Sequence, residues 1–391
     1  MPVRPIVSIA LADCYDDAVL SDAVSRLFAD LHINEKIRPD MRVLLKPNLL
    51  MKRKPEEATT THPVLVEVVI RELQQHGITK ITIADSPGGP YTAAMLKGIY
   101  AVSGMEAVAQ RTGVCLNEDL GYGVRKNPDG ITIQEFTLIR PVLEADFIID
   151  LPKLKTHGMT VMSGAVKNLF GTIPGLMKPE MHMRLPERER FASMLVDLCE
   201  TVRPGLSICD AVISMEGDGP SGGQPRTTGF LAASENPYAL DIVLAHAIGL
   251  LSGDVEMLRQ AIERGLSPDL SDICQTGDSL PIFTDFQKPS AVKNLDFSNS
   301  FPLPRFLRSR ILRQVTPLPR IRKKDCIGCG KCAESCPAHT IRIENHRACI
   351  RYDQCIKCYC CHEMCPVKAI DIQSGIIPRL LEKRGKEQPH G

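Results

Sequence analysis

Two cysteine-rich runs near the C-terminus constrain the fold of this chain more than any other feature. They span residues 326–337 and 355–366, and both follow the spacing C-x2-C-x2-C-x3-C-P. Positions 326, 329, 332 and 336 each recur 29 residues later as cysteine. The similarity continues past each proline, because the apolar alternation at Ile341 and Ile343 returns at Ile370 and Ile372. We interpret this as an internal duplication in which each half ends in a short strand.

This spacing indicates iron–sulfur clusters. Three thiolates that are two residues apart can wrap one face of a cuboidal [4Fe–4S] cluster, and in two-cluster ferredoxins the cysteine before proline reaches the other cluster. We therefore predict two [4Fe–4S] clusters, the first held by Cys326, Cys329, Cys332 and Cys365, and the second by Cys336, Cys355, Cys358 and Cys361. Two zinc sites are the alternative, but a third cysteine at the same step and a Cys-Pro ending are not typical of zinc. The region 320–373 resembles the bacterial two-cluster ferredoxin fold.

Two cysteines of this region fall outside the repeated pattern. Cys360 has Lys331 as its counterpart in the first run, and Cys349 lies between the runs. The simpler interpretation is that both are thiols without a metal. The alternative is a local redox thiol, or a replacement ligand after cluster damage.

The composition limits the class of protein. The chain has 391 residues, 43% hydrophobic and 24% charged, which suits two or three globular domains. A formal net charge of +1 gives no support to nucleic-acid binding, which usually needs a basic excess. The N-terminus does not resemble a signal peptide, and no apolar stretch reaches the roughly 18 residues that span a bilayer. We therefore expect a cytoplasmic protein without a transmembrane segment.

The first three hundred residues predict an α/β domain with a largely parallel sheet. Apolar strand-like runs occur at 7–11, 43–45, 81–84, 131–136, 147–151, 206–213 and 230–233. Helical patterns alternate with them at 16–31, 63–75, 93–109, 187–202, 239–251 and 254–264. The sequence contains neither a glycine-rich dinucleotide fingerprint after a strand nor a phosphate-binding P-loop.

Polar residues follow several of these strands, where open α/β sheets bind ligands. Residues 163–171 add a predicted short helix that begins at a Ser cap and ends at Gly171. We predict catalytic roles for Lys153, Lys155, His157 and Lys167, and substrate binding by Lys46, Asn48, Asp85, Ser86, Asn168 and Glu216. Converging lysines would hold an anion, and His157 could transfer protons near neutral pH. The alternative is that these are solvated loop lysines, helix caps and turn residues.

Several motifs together resemble a known family. They are VLLKPN (43–48), THP (61–63), ADSPGG (84–89), PKLKTHGMTVMSGAVKNLFGTIPG (152–175) and EGDGPSGGQP (216–225). This set is similar to the family called domain of unknown function 362, over most of residues 1–290. Its members often carry a C-terminal two-cluster ferredoxin module, as this chain is expected to do. The resemblance implies no reaction.

We therefore predict four segments: an α/β domain at 1–288, a proline-rich basic linker at 289–322, a ferredoxin domain at 323–375 and a charged tail at 376–391. The linker is either a plain connector lying over the α/β domain or a landing site for an acidic redox partner or an anionic membrane. Three functions remain open. The first is an iron–sulfur oxidoreductase acting on an anionic small molecule, the second is a non-catalytic electron carrier whose large domain docks partner enzymes, and the third is a redox sensor or maturation factor.

Overall fold

The computed structural model describes residues 4–293 and 317–373. Most of the predicted linker and all of the predicted tail lie outside these residues. None of the described helices is long and apolar enough to cross a membrane.

The described N-terminal part is built on one large sheet and one separate hairpin. Its strands are β1 (Ile6–Leu11), β2 (Val43–Pro47), β3 (Ile81–Ile83), β4 (Cys115–Leu116), β5 (Tyr122–Lys126), β6 (Glu135–Ile139), β7 (Phe147–Leu151), β8 (Lys153–His157), β9 (Val161–Ser163), β10 (Leu206–Glu216), β11 (Gln224–Ser234) and β12 (Cys274–Gly277). The main path of the sheet has the order β12-β1-β11-β10-β7-β2-β3-β4, with β8 beside β10 and β9 beside β8. Strands β5 and β6 form the hairpin.

The sheet is mostly parallel, as predicted. Strands β10, β7, β2, β3 and β4 run parallel to one another in that order, and β12 runs parallel to β1. Strand β11 is antiparallel to both of its neighbours. All five residues of β2 are buried, which is typical of a parallel strand covered on both faces.

Helices cover both faces of this sheet. They are α1 (Asp17–Asp30), α2 (Pro63–Gln75), α3 (Ala93–Ser103), α4 (Met105–Thr112), α5 (Arg140–Glu144), α6 (Ala165–Asn168), α7 (Met177–Arg184), α8 (Arg188–Val202), α9 (Pro237–Ala247), α10 (Glu256–Glu263) and α11 (Ser290–Lys293). The buried side chains of α1 to α4 form one core, and those of α6 and α8 to α10 form another.

One predicted helix is divided in the structure, and one predicted strand is shifted along the chain. The helix expected over 93–109 is two helices, because Gly104 between them adopts a left-handed φ of 82°. The strand expected over 131–136 is β6 instead, since Phe136 and Leu138 are buried whereas Ile131 is 71% exposed.

The segment 153–168 also differs from the prediction. Residues 153–157, expected in a loop, form strand β8, which pairs with β9 in a hairpin. Ser163 ends β9 and does not cap the short helix α6. The carboxylate of Asp241 takes that role, accepting hydrogen bonds from the backbone N–H groups of Ala165 and Val166 at 2.6 and 3.0 Å. A side chain at Gly164 would collide with Asp241, because its Cβ would lie 2.1 Å from Oδ1.

Residues 317–373, here called the cysteine module, contain two copies of one strand–helix–strand unit. Its elements are β13 (Leu318–Ile321), α12 (Lys331–Glu334), β14 (Ile341–Glu344), β15 (Arg347–Ile350), α13 (Cys360–Glu363) and β16 (Ile370–Gln373). The elements of the second copy follow those of the first by the same 29 residues as the cysteines, and β13 pairs with β16 while β14 pairs with β15. The left-handed φ angles of Gly328 and Gly330 recur at Lys357 and Tyr359. The duplication read from the sequence is therefore a structural one.

Candidate functional site

A small buried cavity of about 60 Å³ lies near the carboxyl ends of β2, β3 and β7, and we call it the lysine cavity. Seven of the predicted site residues line it: Asn48, Asp85, Ser86, Lys155, His157, Lys167 and Asn168. One water needs roughly 10–15 Å³ of such space, so the cavity has room for a ligand of a few heavy atoms. The structure thus brings together residues that are far apart in the sequence.

Two larger clefts, of about 530 and about 470 Å³, lie elsewhere on the described surface. The larger one follows the amino ends of β2 and β3 and includes Arg42 and Lys80. The second lies around Arg4 and Tyr238. Neither is lined by a predicted site residue. We favour the lysine cavity because its polar groups converge at the carboxyl ends of strands, where sheets of this kind bind ligands.

A buried ion pair forms one wall of the lysine cavity. Lys46 Nζ lies 2.8 Å from Asp85 Oδ1, and both side chains are buried. The other carboxylate oxygen of Asp85 accepts a hydrogen bond from the backbone N–H of Leu49 at 2.8 Å. A Cβ at Gly171 would lie 2.0 Å from Asp85 Oδ1, so only glycine fits against the pair. Lys46 thus supports the wall from behind, although it was predicted to bind substrate.

A chain of hydrogen bonds orients two amides of the cavity. Lys155 Nζ donates to Asn48 Oδ1 at 2.9 Å, and Asn48 Nδ2 donates to Asn168 Oδ1 at 2.7 Å. Asn168 Nδ2 in turn donates to Asp150 Oδ1 at 2.8 Å. Burial raises the pKa of Asp150 to about 8. Asp150 was not among the predicted site residues, and its signal in the sequence is an acid inside the apolar strand β7.

Burial strongly shifts the pKa values of three lysines in the cavity. Burial lowers the pKa of Lys155 to about 7, of Lys167 to about 8 and of Lys178 to about 7. Lys178 was also missed, and its Nζ donates to Ser86 Oγ at 3.0 Å. Lys167 Nζ lies 4.3 Å from the ring centroid of Phe170. Within residues 4–293 and 317–373 it has no hydrogen-bond acceptor, so it is available to a ligand.

His157 presents a neutral ring with a defined tautomer. Its Nδ1 accepts hydrogen bonds from the backbone N–H groups of Met159 and Thr160 at 3.1 and 3.3 Å, which assigns the ring proton to Nε2. Burial holds the pKa of His157 well below its usual range, and the charge of Lys167 lowers it further. The Nε2–H group lies 3.5 Å from Glu363 Oε1.

Besides Lys46, two further predicted residues do not line the lysine cavity. Lys153 Nζ lies 2.9 Å from Asp210 Oδ2 and donates to the hydroxyl of Tyr15 at 2.6 Å. Glu216 accepts hydrogen bonds from Arg226 Nη1 at 2.9 Å and from the backbone N–H of Gln287 at 3.0 Å. Both side chains therefore have structural partners, and we leave them out of the proposed site.

The cysteine module contributes to the cavity wall through Glu363 of α13. The backbone carbonyl of Glu363 accepts a hydrogen bond from Ser221 Oγ at 2.6 Å. Glycines make room for the module on the α/β domain: a Cβ at Gly88 would lie 2.8 Å from Met364 Sδ, and one at Gly222 would lie 2.5 Å from His362 Cε1. The glycine-rich loops 84–89 and 216–225, interpretable as simple turns in the sequence, thus form the docking surface of the module.

The eight cysteines predicted as cluster ligands all lie in the cysteine module. A cavity of about 20 Å³ is lined by all four cysteines of the first set: Cys326, Cys329, Cys332 and Cys365. In the predicted second set, burial and the nearby sulfurs of Cys358, Cys355, Cys332 and Cys336 raise the pKa of Cys361, and Cys332 among them belongs to the predicted first set. In the described part of the chain, no three His, Cys, Asp or Glu side chains converge on a point suited to a single metal ion. Four thiols around a cavity are instead the donor set that a multi-iron cluster needs.

Backbone N–H groups also point at these sulfurs. Ala369 N donates to Cys365 Sγ at 3.1 Å, and Thr340 N donates to Cys336 Sγ at 3.4 Å. The two bonds occupy equivalent positions of the duplication. Hydrogen bonds of this kind stabilise negative charge on cluster sulfurs.

Cys360 lies between the second set of cysteines and the lysine cavity. It is buried and hydrogen-bonds to Cys358, and its sulfur is close enough to Lys167 to influence that lysine. The helix α13 therefore places Glu363 in the cavity wall and Cys360 near Lys167.

Comparisons with known proteins agree with this two-part organisation. Residues 43–246 match the family described as "Domain of unknown function (DUF362)", and residues 318–366 match a "4Fe-4S dicluster domain". The thylakoid-associated protein sll1697 of Synechocystis sp. (strain ATCC 27184 / PCC 6803 / Kazusa) is 31% identical over 307 residues, which cover 78% of this chain and 92% of that protein.

Similarity to solved structures is more distant. The lactate racemase apoprotein from Thermoanaerobacterium thermosaccharolyticum is 10% identical with a TM-score of 0.36, over 60% of this chain and 55% of that one. A protein from Thermotoga maritima is 12% identical with a TM-score of 0.34, over 58% of this chain and 57% of that one. The match thus spans little more than half the length of these structures. On its sequence matches, the chain belongs to the DUF362 family and is an iron–sulfur protein with a 4Fe-4S dicluster domain in its C-terminal part.

Proposed function

We propose that this protein is an iron–sulfur oxidoreductase that exchanges electrons with a small anionic ligand in the lysine cavity. Two [4Fe–4S] clusters would be held by Cys326, Cys329, Cys332 and Cys365, and by Cys336, Cys355, Cys358 and Cys361. When bound, the clusters supply single electrons. One observation carries the proposal: Glu363, which lies between two candidate cluster ligands in the sequence, also lines the lysine cavity.

The residues of the cavity suit the binding of an anion. Lys155, Lys167 and Lys178 bring three ammonium groups to a site from which most water is excluded, where electrostatic attraction is stronger than in bulk water. The Asn48 and Asn168 amides are held in fixed orientations by their hydrogen bonds. His157 holds a proton on Nε2 at the cavity wall and can pass it to a ligand.

Electrons must also enter from outside, and the first repeat of the module is the more accessible one. Cys329 is exposed, and the neighbouring Ile327 is 62% exposed. Cys360 and Cys361 of the second repeat are buried on the side of the α/β domain. We propose that a redox partner protein docks beside the first repeat.

The proposal is tested on full-length protein purified without oxygen. Iron and sulfide are quantified, bound small molecules are identified by mass spectrometry, and reoxidation of the chemically reduced clusters is followed with and without the identified molecule. We expect the wild type to retain a bound small molecule and the double variant Lys155→Met, Lys167→Met to lose it. Lys97→Met, which changes an exposed lysine of α3, is the matched control and should retain it. Clusters that reduce normally in a protein that retains no small molecule would favour the non-catalytic carrier instead.

A further inference from the structure

Within the described residues, Glu363 is the only acidic side chain of the cysteine module that lines the lysine cavity. Its carboxylate oxygen Oε1 lies 3.5 Å from Nε2 of the neutral His157 ring. None of the cavity lysines forms an ion pair with it within the described residues, although its charge influences both Lys155 and Lys167. Lys155 Nζ donates to Asn48 Oδ1 and to the backbone carbonyl of Thr59, whereas Lys167 has no hydrogen-bond acceptor within the described residues.

The charges around the cavity are unbalanced without a further anion. Asp85 is already paired with Lys46 at 2.8 Å. The Nζ group of Lys178 donates to two oxygens of Ser86 and to the backbone carbonyl of Ile173. That leaves Lys155 and Lys167 with the single carboxylate of Glu363 in the cavity wall. Buried charges are stable only when an opposite charge compensates them, so the cavity should attract a further negative charge.

The internal duplication supplies a comparison within the same chain. Glu334 is the equivalent of Glu363 in the first repeat, 29 residues earlier at the end of α12. Its carboxylate lies 2.8 Å from Lys331 Nζ in an ion pair that is open to solvent. The repeat itself therefore does not require a buried acid at this position. Glu363 is buried because it lies in the wall of the lysine cavity.

We propose that Glu363 is a built-in counter-charge in the cavity wall, and that the cavity binds a small carboxylate which takes over from Glu363 as the counter-charge of Lys155 and Lys167. This inference rests on the proposed function, because it assigns the chemical class of the ligand to the same cavity. A carboxylate is favoured over a larger oxyanion because the cavity already has one carboxylate in its wall and the free space is about 60 Å³. Glu363 thereby couples binding in the cavity to the segment that carries Cys361 and Cys365.

The test is a titration of oxidised, cluster-loaded full-length protein with acetate, by anaerobic calorimetry. A negative charge in the cavity wall repels an anion that binds nearby, so its removal strengthens anion binding. We therefore expect Glu363→Gln and Glu363→Ala to bind acetate at least about tenfold more tightly than the wild type. Glu334→Gln is the matched control and should leave acetate binding unchanged. Lys167→Met in the Glu363→Gln background should abolish the gain, and inorganic phosphate should bind more weakly than acetate.

Other outcomes overturn the inference. Weaker or equal acetate binding by both Glu363 variants would mean that Glu363 is a ligand partner or a bystander. Tighter binding of phosphate than of acetate would reject the carboxylate class. Iron content and visible absorbance of each variant establish that the module is folded and loaded. Because the titration involves no electron transfer, its failure is distinguishable from failure of the redox proposal.

Discussion

His157 Nε2 lies 3.5 Å from Glu363 Oε1, and this contact joins the β8–β9 hairpin of the α/β domain to the cysteine module. The tautomer of His157 is set by two backbone N–H groups of the same hairpin, so its proton faces the module. The contact lies just beyond ordinary hydrogen-bond distance, and small shifts of α13 change it strongly. The candidate site is therefore assembled from both parts of the chain and depends on how they dock.

Docking depends on the absence of a side chain at Gly222. A Cβ there would lie 2.5 Å from His362 Cε1 and 2.9 Å from the backbone carbonyl of Asp218. We expect Gly222→Ala to loosen the module from the α/β domain, seen as faster backbone hydrogen exchange in residues 359–366 with iron content unchanged. Gly253→Ala is the control, because a Cβ at Gly253 meets nothing within 4 Å. Equal exchange in both variants would contradict this docking geometry.

The assignment of the surplus cysteine can be tested by metal content. Cys361→Ser should remove one cluster and with it about half of the iron, because a cuboidal cluster needs its thiolate ligands. Cys360→Ser should retain the full iron content, since Cys360 hydrogen-bonds to Cys358 outside the repeated ligand pattern. Iron and sulfide analysis after anaerobic purification makes the measurement. A comparable loss in both variants would show that Cys360 is a ligand.

The buried pair of Lys46 and Asp85 should stabilise the α/β domain strongly. Asp85→Asn leaves the ammonium of Lys46 buried and without its charged partner, which typically costs about 3–5 kcal/mol in the free energy of unfolding. Denaturant unfolding followed by far-UV circular dichroism measures this loss. The exposed pair of Arg38 and Asp40 is the control, and Asp40→Asn should change the free energy of unfolding by less than about 1 kcal/mol. Similar values for the two variants would contradict a structural role for the buried pair.

Anion binding in the lysine cavity should weaken as the pH rises. The pKa values of Lys155 and Lys178 are lowered to about 7 and that of Lys167 to about 8, so these lysines lose their charge between neutral and mildly alkaline pH. The protonated forms attract the anion, and binding is therefore favoured below this range and lost above it. We expect acetate affinity of Glu363→Gln protein to fall roughly tenfold or more between about pH 6 and about pH 9.

The control for this pH dependence is the additional change Lys167→Met. It removes one of the titrating groups, so the remaining decline in acetate affinity should be shallower and should begin nearer the pKa of Lys155. A pH profile identical to that of Glu363→Gln alone would contradict a direct role of Lys167 in binding the anion.

Much of the fold follows from local sequence patterns. Residues 43–45 and 147–151 are apolar runs between helical patterns, and both are strands of a largely parallel sheet, as expected for segments buried on both faces. The prediction was wrong at two places where the local apolar pattern does not determine how a helix begins or ends. The apolar pattern over 93–109 continues through the helix break at Gly104, and the cap of α6 comes from Asp241, far along the chain.

The candidate site was only partly predictable. Lys155, His157, Lys167 and Asn168 were found because they follow apolar strands or occupy a short polar helix. Lys178 was missed because it lies on α7, away from any strand end, and Asp150 was missed because it is enclosed within a strand. Conversely, Glu216 follows a strand as a site residue would, but its carboxylate is held by Arg226.

The sequence by itself determined the α/β class, the duplicated cysteine spacing and the short strands of the module, because each of these depends on residues that are close together in the chain. Only the tertiary structure decided that Glu363 enters the lysine cavity whereas Glu334, its equivalent in the repeat, stays at the surface. The two residues have similar local sequence contexts, and the difference between them comes from long-range packing of α13 against the α/β domain. The burial of Glu363 and the charges around it result from that packing, so the neighbouring sequence alone does not predict them.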